Sequence, residues 1–188
     1  MGDKPKRKRI ERPVISRLLT TIIVDPLEYK VNAASLNAQH KKTFTVNLNL
    51  EYWVDAHYNS RLQHGDDNGK REGIEPYFVE PLVEQSFLHV LHYSLRNPKV
   101  NIINYAPKRD IPLRIVLTET FVDELDLNLI VEYNFIDVAT YEATVITAMR
   151  KEKFLESEGQ YAITMNGGDS KLSVKANGIR TSVDEYKV

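Results

Sequence analysis

Over residues 44–54 every second residue is apolar: Phe44, Val46, Leu48, Leu50, Tyr52 and Val54. Thr45, Asn47, Asn49, Glu51 and Trp53 fall between them. Period two is the side-chain period of a β-strand, so the spacing predicts one half-buried strand here. Leu125, Leu127, Leu129, Val131, Tyr133 and Phe135 repeat the pattern, and Ile111, Leu113, Ile115 and Leu117 begin it upstream. An acidic turn at 122–124 joins these two runs as an antiparallel hairpin. Tyr141, Ala143, Val145, Thr147 and Met149 continue the meander.

The C-terminal third carries the strongest turn chemistry. Tyr161, Ile163 and Met165 lead into Asn166-Gly167-Gly168-Asp169, and Leu172 and Val174 lead into Asn177-Gly178. Asn-Gly supplies the positive φ angles of a type I′ hairpin, which predicts three short antiparallel strands. One helix is expected, at 81–96. Pro81 suits a first helical turn, Val83, Phe87, Val90, Leu91 and Leu95 form an apolar stripe, and Asn97-Pro98 stops it. A second, short helix is conceivable at 33–39. Residues 63–75 and 150–159 read as polar connections. The fold class is therefore mainly β or α+β: an antiparallel β-sandwich or barrel-like sheet of about eight strands with one packed helix. Parallel doubly wound folds, the usual home of nucleotide chemistry, are disfavoured.

Composition narrows function by exclusion. The 188 residues include no cysteine, so disulfide frameworks, thiolate metal sites and thiol nucleophiles are out. No P-loop, no dinucleotide-binding glycine motif, no His-Glu-x-x-His and no Gly-x-Ser-x-Gly is present. The longest apolar stretch near the N-terminus is broken by Arg17 and ended by Asp25-Pro26, too short to span a bilayer. The expectation is a chain without a signal peptide or membrane contact, acting in the cytoplasm, nucleus or a virion. No cofactor is expected.

Charge is distributed unevenly. Residues 1–12 hold six cations against two carboxylates, a net +4, and the remainder holds 19 basic against 24 acidic residues, a net −5. This divides the chain into a flexible basic arm, 1–12, and a single β-rich domain, 13–188. Lys4, Lys6, Arg7, Lys8 and Arg9 in the arm are the first candidates for partner or nucleic-acid contact. Arg96, Lys108 and Arg109 extend the basic set, with Tyr93 and Tyr105 as stacking candidates. Asp123, Glu124 and Asp126 form an acidic face that such cations can meet in a second copy.

Two constellations resemble fragments of active sites. Asp55 and His57 alternate onto one face if the 44–54 strand continues, and an Asp orienting a His is half of a general-base arrangement. Residues two apart on a strand are about 7 Å apart, too far for a direct hydrogen bond. His89 and His92 lie three apart on the helix and can share a metal only with a third ligand. The bland alternative for this pair is a polar helix edge. The oxygen ligands of the 63–75 loop fail the EF-hand spacing, with Arg71 at the glycine position and Tyr77 at the glutamate position.

The sequence thus reads as a non-enzymatic structural or assembly protein, a homo-oligomer or a subunit docking on protein partners, like a virion component in outline only. A nucleic-acid-binding module using the arm is the alternative. An enzyme or metal site at Asp55 and His57, or at His89 and His92, comes third.

Overall fold

The computed structural model describes residues 47–65, 72–105, 111–120, 125–152 and 154–188, and before them the backbone at 19–21, 29–30, 33, 38–39 and 43–45. The chain forms two compact units, Met1–Asn47 and Leu48–Val188. In the first, β1 (Leu19–Thr21) pairs antiparallel with β4 (Thr43–Thr45), and β2 (Tyr29–Lys30) with β3 (Ala38–Gln39). The helix expected near 33–39 therefore gives way to a strand at its C-terminal end.

The second unit holds β5 (Asn49–Val54), α1 (Ala56–His64), α2 (Pro76–Arg96), β6 (Ile115–Glu119), β7 (Leu127–Asp137) and β8 (Thr140–Arg150). It ends with β9 (Tyr161–Asn166), β10 (Asp169–Ala176) and β11 (Ile179–Tyr186). Seven strands make one open sheet in the order β11-β10-β9-β6-β7-β8-β5. The sheet does not close into a barrel, and the layer packed on it is helical. It is also mixed rather than antiparallel: β5 runs parallel to β8 and β6 parallel to β9.

Most of the alternating runs occupy the faces their periodicity predicts. Glu51 and Trp53 are exposed while Leu50, Tyr52 and Val54 are half-buried. Ile115 and Leu117 pair with Val131 and Leu129 in the predicted β6–β7 hairpin. Asn177 (φ 53°) and Gly178 (φ 76°) are left-handed, as a type I′ turn between β10 and β11 requires. The single strand expected over 44–54 is two strands, β4 and β5, with different partners.

The helix layout expected from sequence needs correction in two places. α2 begins at Pro76, which occupies the first helical turn, and Pro81 sits inside the helix. Residues 56–64, read from sequence as strand end and loop, form α1. Asp55 caps it: its Oδ1 accepts from the His57 backbone N–H at 2.8 Å.

The core lies between α2 and one sheet face. Val79, Leu82, Val83, Phe87, Val90 and Tyr93 descend onto Ile115, Leu117, Leu129, Val131, Tyr133, Val145 and Ile163. Burying each such aliphatic side chain stabilises the fold by about 1.5–3 kcal/mol. Tyr133 is fully buried among them, and its phenol is partnered. Tyr133 OH meets Ser86 Oγ at 3.0 Å, and burial pushes its phenol well above the ordinary tyrosine range. The 151–160 connection crosses the opposite face, where Lys175 donates to the Glu156 carbonyl at 2.7 Å and Arg180 pairs with the buried Glu156 carboxylate.

Asn104 secures the entry to β6. Its Nδ2 donates to the Tyr133 carbonyl at 3.1 Å and its Oδ1 accepts from the Leu113 N–H at 2.9 Å. It is buried, so Asn104→Ala strands polar groups away from water. We predict a loss of about 2 kcal/mol in urea unfolding for Asn104→Ala, with the slope unchanged.

Candidate functional site

α2 is apolar on both sides. Its inner side is the core stripe. Its outer side exposes Tyr77 (80%), Leu88 (69%) and Leu95 (79%). Pro81, Leu88 and Leu95 are spaced by seven, and Tyr77, Glu84 and Leu91 repeat the same interval three residues out of phase. Seven-residue spacing of two alternating sets is the seam of a helix that packs against another helix. Glu84 is the one polar residue in this seam. A cleft lies on each flank, and Leu88 is the ridge between them.

One flank, a cleft of about 610 Å³, is lined by Leu48, Leu50, Tyr52, Glu80, Glu84 and Phe87. The other, about 720 Å³, lies between α2 and the end of the β10–β11 hairpin. Its lining includes Gln85, Leu88, His89, His92, Tyr186 and Val188, with the Gly167-Gly168 turn. His89 is buried, not a surface histidine as the polar-edge reading has it. Its Nδ1 lies 2.8 Å from Ser170 Oγ, and Ser170 Oγ lies 2.7 Å from Tyr93 OH. Tyr93 OH also donates to the Ser170 carbonyl at 2.9 Å. The Tyr186 ring meets both imidazoles edge-on, at 4.9 Å from His89 and 4.8 Å from His92. His92 Nε2 is buried without a hydrogen-bond partner.

Burial, reinforced by His92, holds the His89 imidazole below the ordinary histidine range, and Asp169 offsets part of this. Near the C-terminal end of α2, Asn97 and Arg96 meet Asp184. The Asn97 amide, donating at 2.8 Å, holds its carboxyl below the usual carboxylate range, helped by the Glu185 N–H and Arg96.

The residues singled out from sequence scatter. Lys4, Lys6, Arg7, Lys8, Arg9, Lys108, Arg109, Asp123 and Glu124 lie outside the described residues. Arg96 pairs with Asp184 at 3.4 Å within the chain. Arg114 likewise pairs with Glu132 at 2.8 Å, so both cations neutralise partners within one molecule. Asp126 is half-buried and its carbonyl accepts from the Lys151 N–H. Tyr93 is buried and cannot stack a base, whereas Tyr105 is exposed against Phe135. Asp55 and His57 share no strand face, because Asp55 is the α1 cap. Among the described residues no three His, Asp or Glu side chains converge as metal ligands. Ser170 and Tyr186 were not flagged from sequence; strand alternation alone gives neither a reason to stand out.

Among the described residues no helix is long and apolar enough to cross a membrane. Compared with protein-family models, curated proteins and solved structures, the chain matches none of them.

A neutral, buried His89 makes stability depend on pH. The unfolded chain takes up a proton near the ordinary value of 6.5 while the folded chain resists it. The His89 contribution is therefore intact above that value and is lost as pH falls below it. Wild type should lose more stability between neutral and mildly acidic pH than His89→Gln does, read by urea unfolding at each pH. Equal losses would remove His89 as the source.

Proposed function

We propose that this chain is a non-enzymatic structural module that self-associates through the outer seam of α2. The observation that carries this reading is the exposed stripe of Tyr77, Leu88 and Leu95 on a helix whose other side is already buried. An exposed apolar stripe opposite a buried one gives a helix a second packing face, here flanked by Glu80 and Gln85 and interrupted by Glu84. The sheet covers the first face.

The seam is self-complementary about Leu88. If two copies of α2 run antiparallel and cross at Leu88, Leu95 of one lies level with Pro81 of the other. These contacts fall roughly 10 Å on either side of the centre, from the helical rise. Tyr77 then packs over the Leu95 end. This is an isologous arrangement, closed by a two-fold axis. The seam is short and Glu84 interrupts it, so association is concentration-dependent rather than obligate.

The intramolecular pairs of Arg96 and Arg114 leave those cations little charge to offer a partner. Apolar contact at the seam accordingly dominates, and the arm cations act as a secondary, salt-sensitive contribution.

Light scattering across a dilution series tests the proposal. Wild type should approach a dimer of the 21.7 kDa chain as concentration rises. The double variant Leu88→Lys/Leu95→Lys, altered only at exposed positions, should stay monomeric with unchanged circular dichroism. A wild-type monomer throughout, or a double variant that dimerises equally well, would defeat it.

A further inference from the structure

We propose that the cleft between α2 and the β10–β11 hairpin binds a small uncharged aromatic molecule that donates one hydrogen bond to His89 Nε2. The argument begins with protons. A carbonyl only accepts, so Tyr93 OH spends its one proton on the Ser170 carbonyl at 2.9 Å. The 2.7 Å contact between Ser170 Oγ and Tyr93 OH then uses the serine proton. With that proton spent, the 2.8 Å contact between Ser170 Oγ and His89 Nδ1 requires a proton on Nδ1. The alternative, serine donating to histidine, leaves the Tyr93 and Ser170 carbonyl oxygens in contact without a hydrogen between them. The network thus assigns His89 the tautomer with N–H at Nδ1 and a lone pair at Nε2.

That lone pair is presented to the cleft. Among the described residues, the side-chain atoms sealed from solvent without a partner are Tyr52 OH, His92 Nε2 and Ser94 Oγ, and His89 Nε2 is not one of them. His89 itself lines the cleft and is otherwise buried. Its ring is held by the serine and tyrosine behind it and by Tyr186 beside it, so the acceptor is fixed in place. A base oriented by a second group and that group by a third is how proteins pre-organise an imidazole for a ligand.

The remaining lining sets the ligand class. Leu88, Tyr186 and Val188 are apolar or aromatic, and the cleft's volume of about 720 Å³ is in the range of small-molecule sites. No Lys or Arg lines it, and Lys187, between the lining residues Tyr186 and Val188, pairs with Glu185 at 3.9 Å. Gln85 offers the one side-chain amide in the lining, and the His89 lone pair is its fixed acceptor. An aromatic body with a single N–H or O–H donor, of indole or phenol size, completes the set. The site shares Leu88 with the proposed seam, but its chemistry rests on His89 and survives failure of the self-association reading.

Indole and 1-methylindole, which differ by one donor, are the probes. Calorimetric or NMR titration of the full chain, at a concentration where it is monomeric, should give saturable indole binding. Binding of 1-methylindole should be roughly fivefold to tenfold weaker, the value of one net hydrogen bond. His89→Phe should abolish the difference. Leu88→Trp, at an exposed position that leaves the core untouched, should block indole by filling the mouth. Indole that fails to saturate, or two probes that bind wild type equally, would overturn the proposal. So would indole binding that Leu88→Trp leaves unchanged.

Discussion

The inner face of α2 and one face of the seven-stranded sheet bury each other, and nearly every other feature follows from that contact. It fixes the helix so that Val79, Val83, Val90 and Tyr93 are sealed. By the helical repeat, it must then turn Tyr77, Leu88 and Leu95 outward. A 21-residue helix cannot rotate to hide both stripes at once. The inner stripe wins because the strands offer it Leu117, Leu129, Val131 and Tyr133 as partners. The outer stripe stays exposed.

The same contact builds the histidine cleft. Anchoring the first half of α2 over β5 and β7 carries its last turns to the opposite edge of the sheet, against β10 and β11. There Tyr93 and His89 reach Ser170, and Asn97 reaches Asp184. These bonds do for the helix end what apolar packing does for its middle. They are polar because β11 is an edge strand, largely exposed, with little apolar surface to offer. A hydrogen-bonded end in place of a greasy one leaves a cleft with a fixed ring nitrogen.

Several elements were legible in the sequence because their information is local. Alternation sorted the core-facing residues of β6, β7 and β9, but β6 is buried on both faces and a bulge in the β7–β8 ladder brings Ala148 into the core where alternation pointed to Met149. Asn177-Gly178 marked its hairpin because few other pairs adopt two left-handed residues at low cost. Partner choice was not legible. The alternation over 44–54 runs straight through the boundary between β4 and β5, because periodicity reports faces and not hydrogen-bond partners. The parallel pairs β5–β8 and β6–β9 join segments distant in sequence. α1 escaped notice because Tyr58 is its one buried side chain, which gives no stripe, although the Asp55 cap was there to be read. The burial of His89 cannot be read from sequence, because its partner, Ser170, lies 81 positions away. A polar residue on a buried stripe is invisible until its partner is known.

The central claim is that Leu88 of one copy meets Leu88 of another, and the absence of cysteine makes it directly testable. Leu88→Cys introduces a single thiol at the proposed two-fold axis, where the backbone separation must shrink to about 4.4–6.8 Å for a disulfide to form. Val138→Cys, at an exposed position on the β7–β8 turn, is the control. Under mild oxidation the account predicts a covalent dimer from Leu88→Cys at concentrations where Val138→Cys remains monomeric. Failure of Leu88→Cys to cross-link, or equal cross-linking by both, would contradict it.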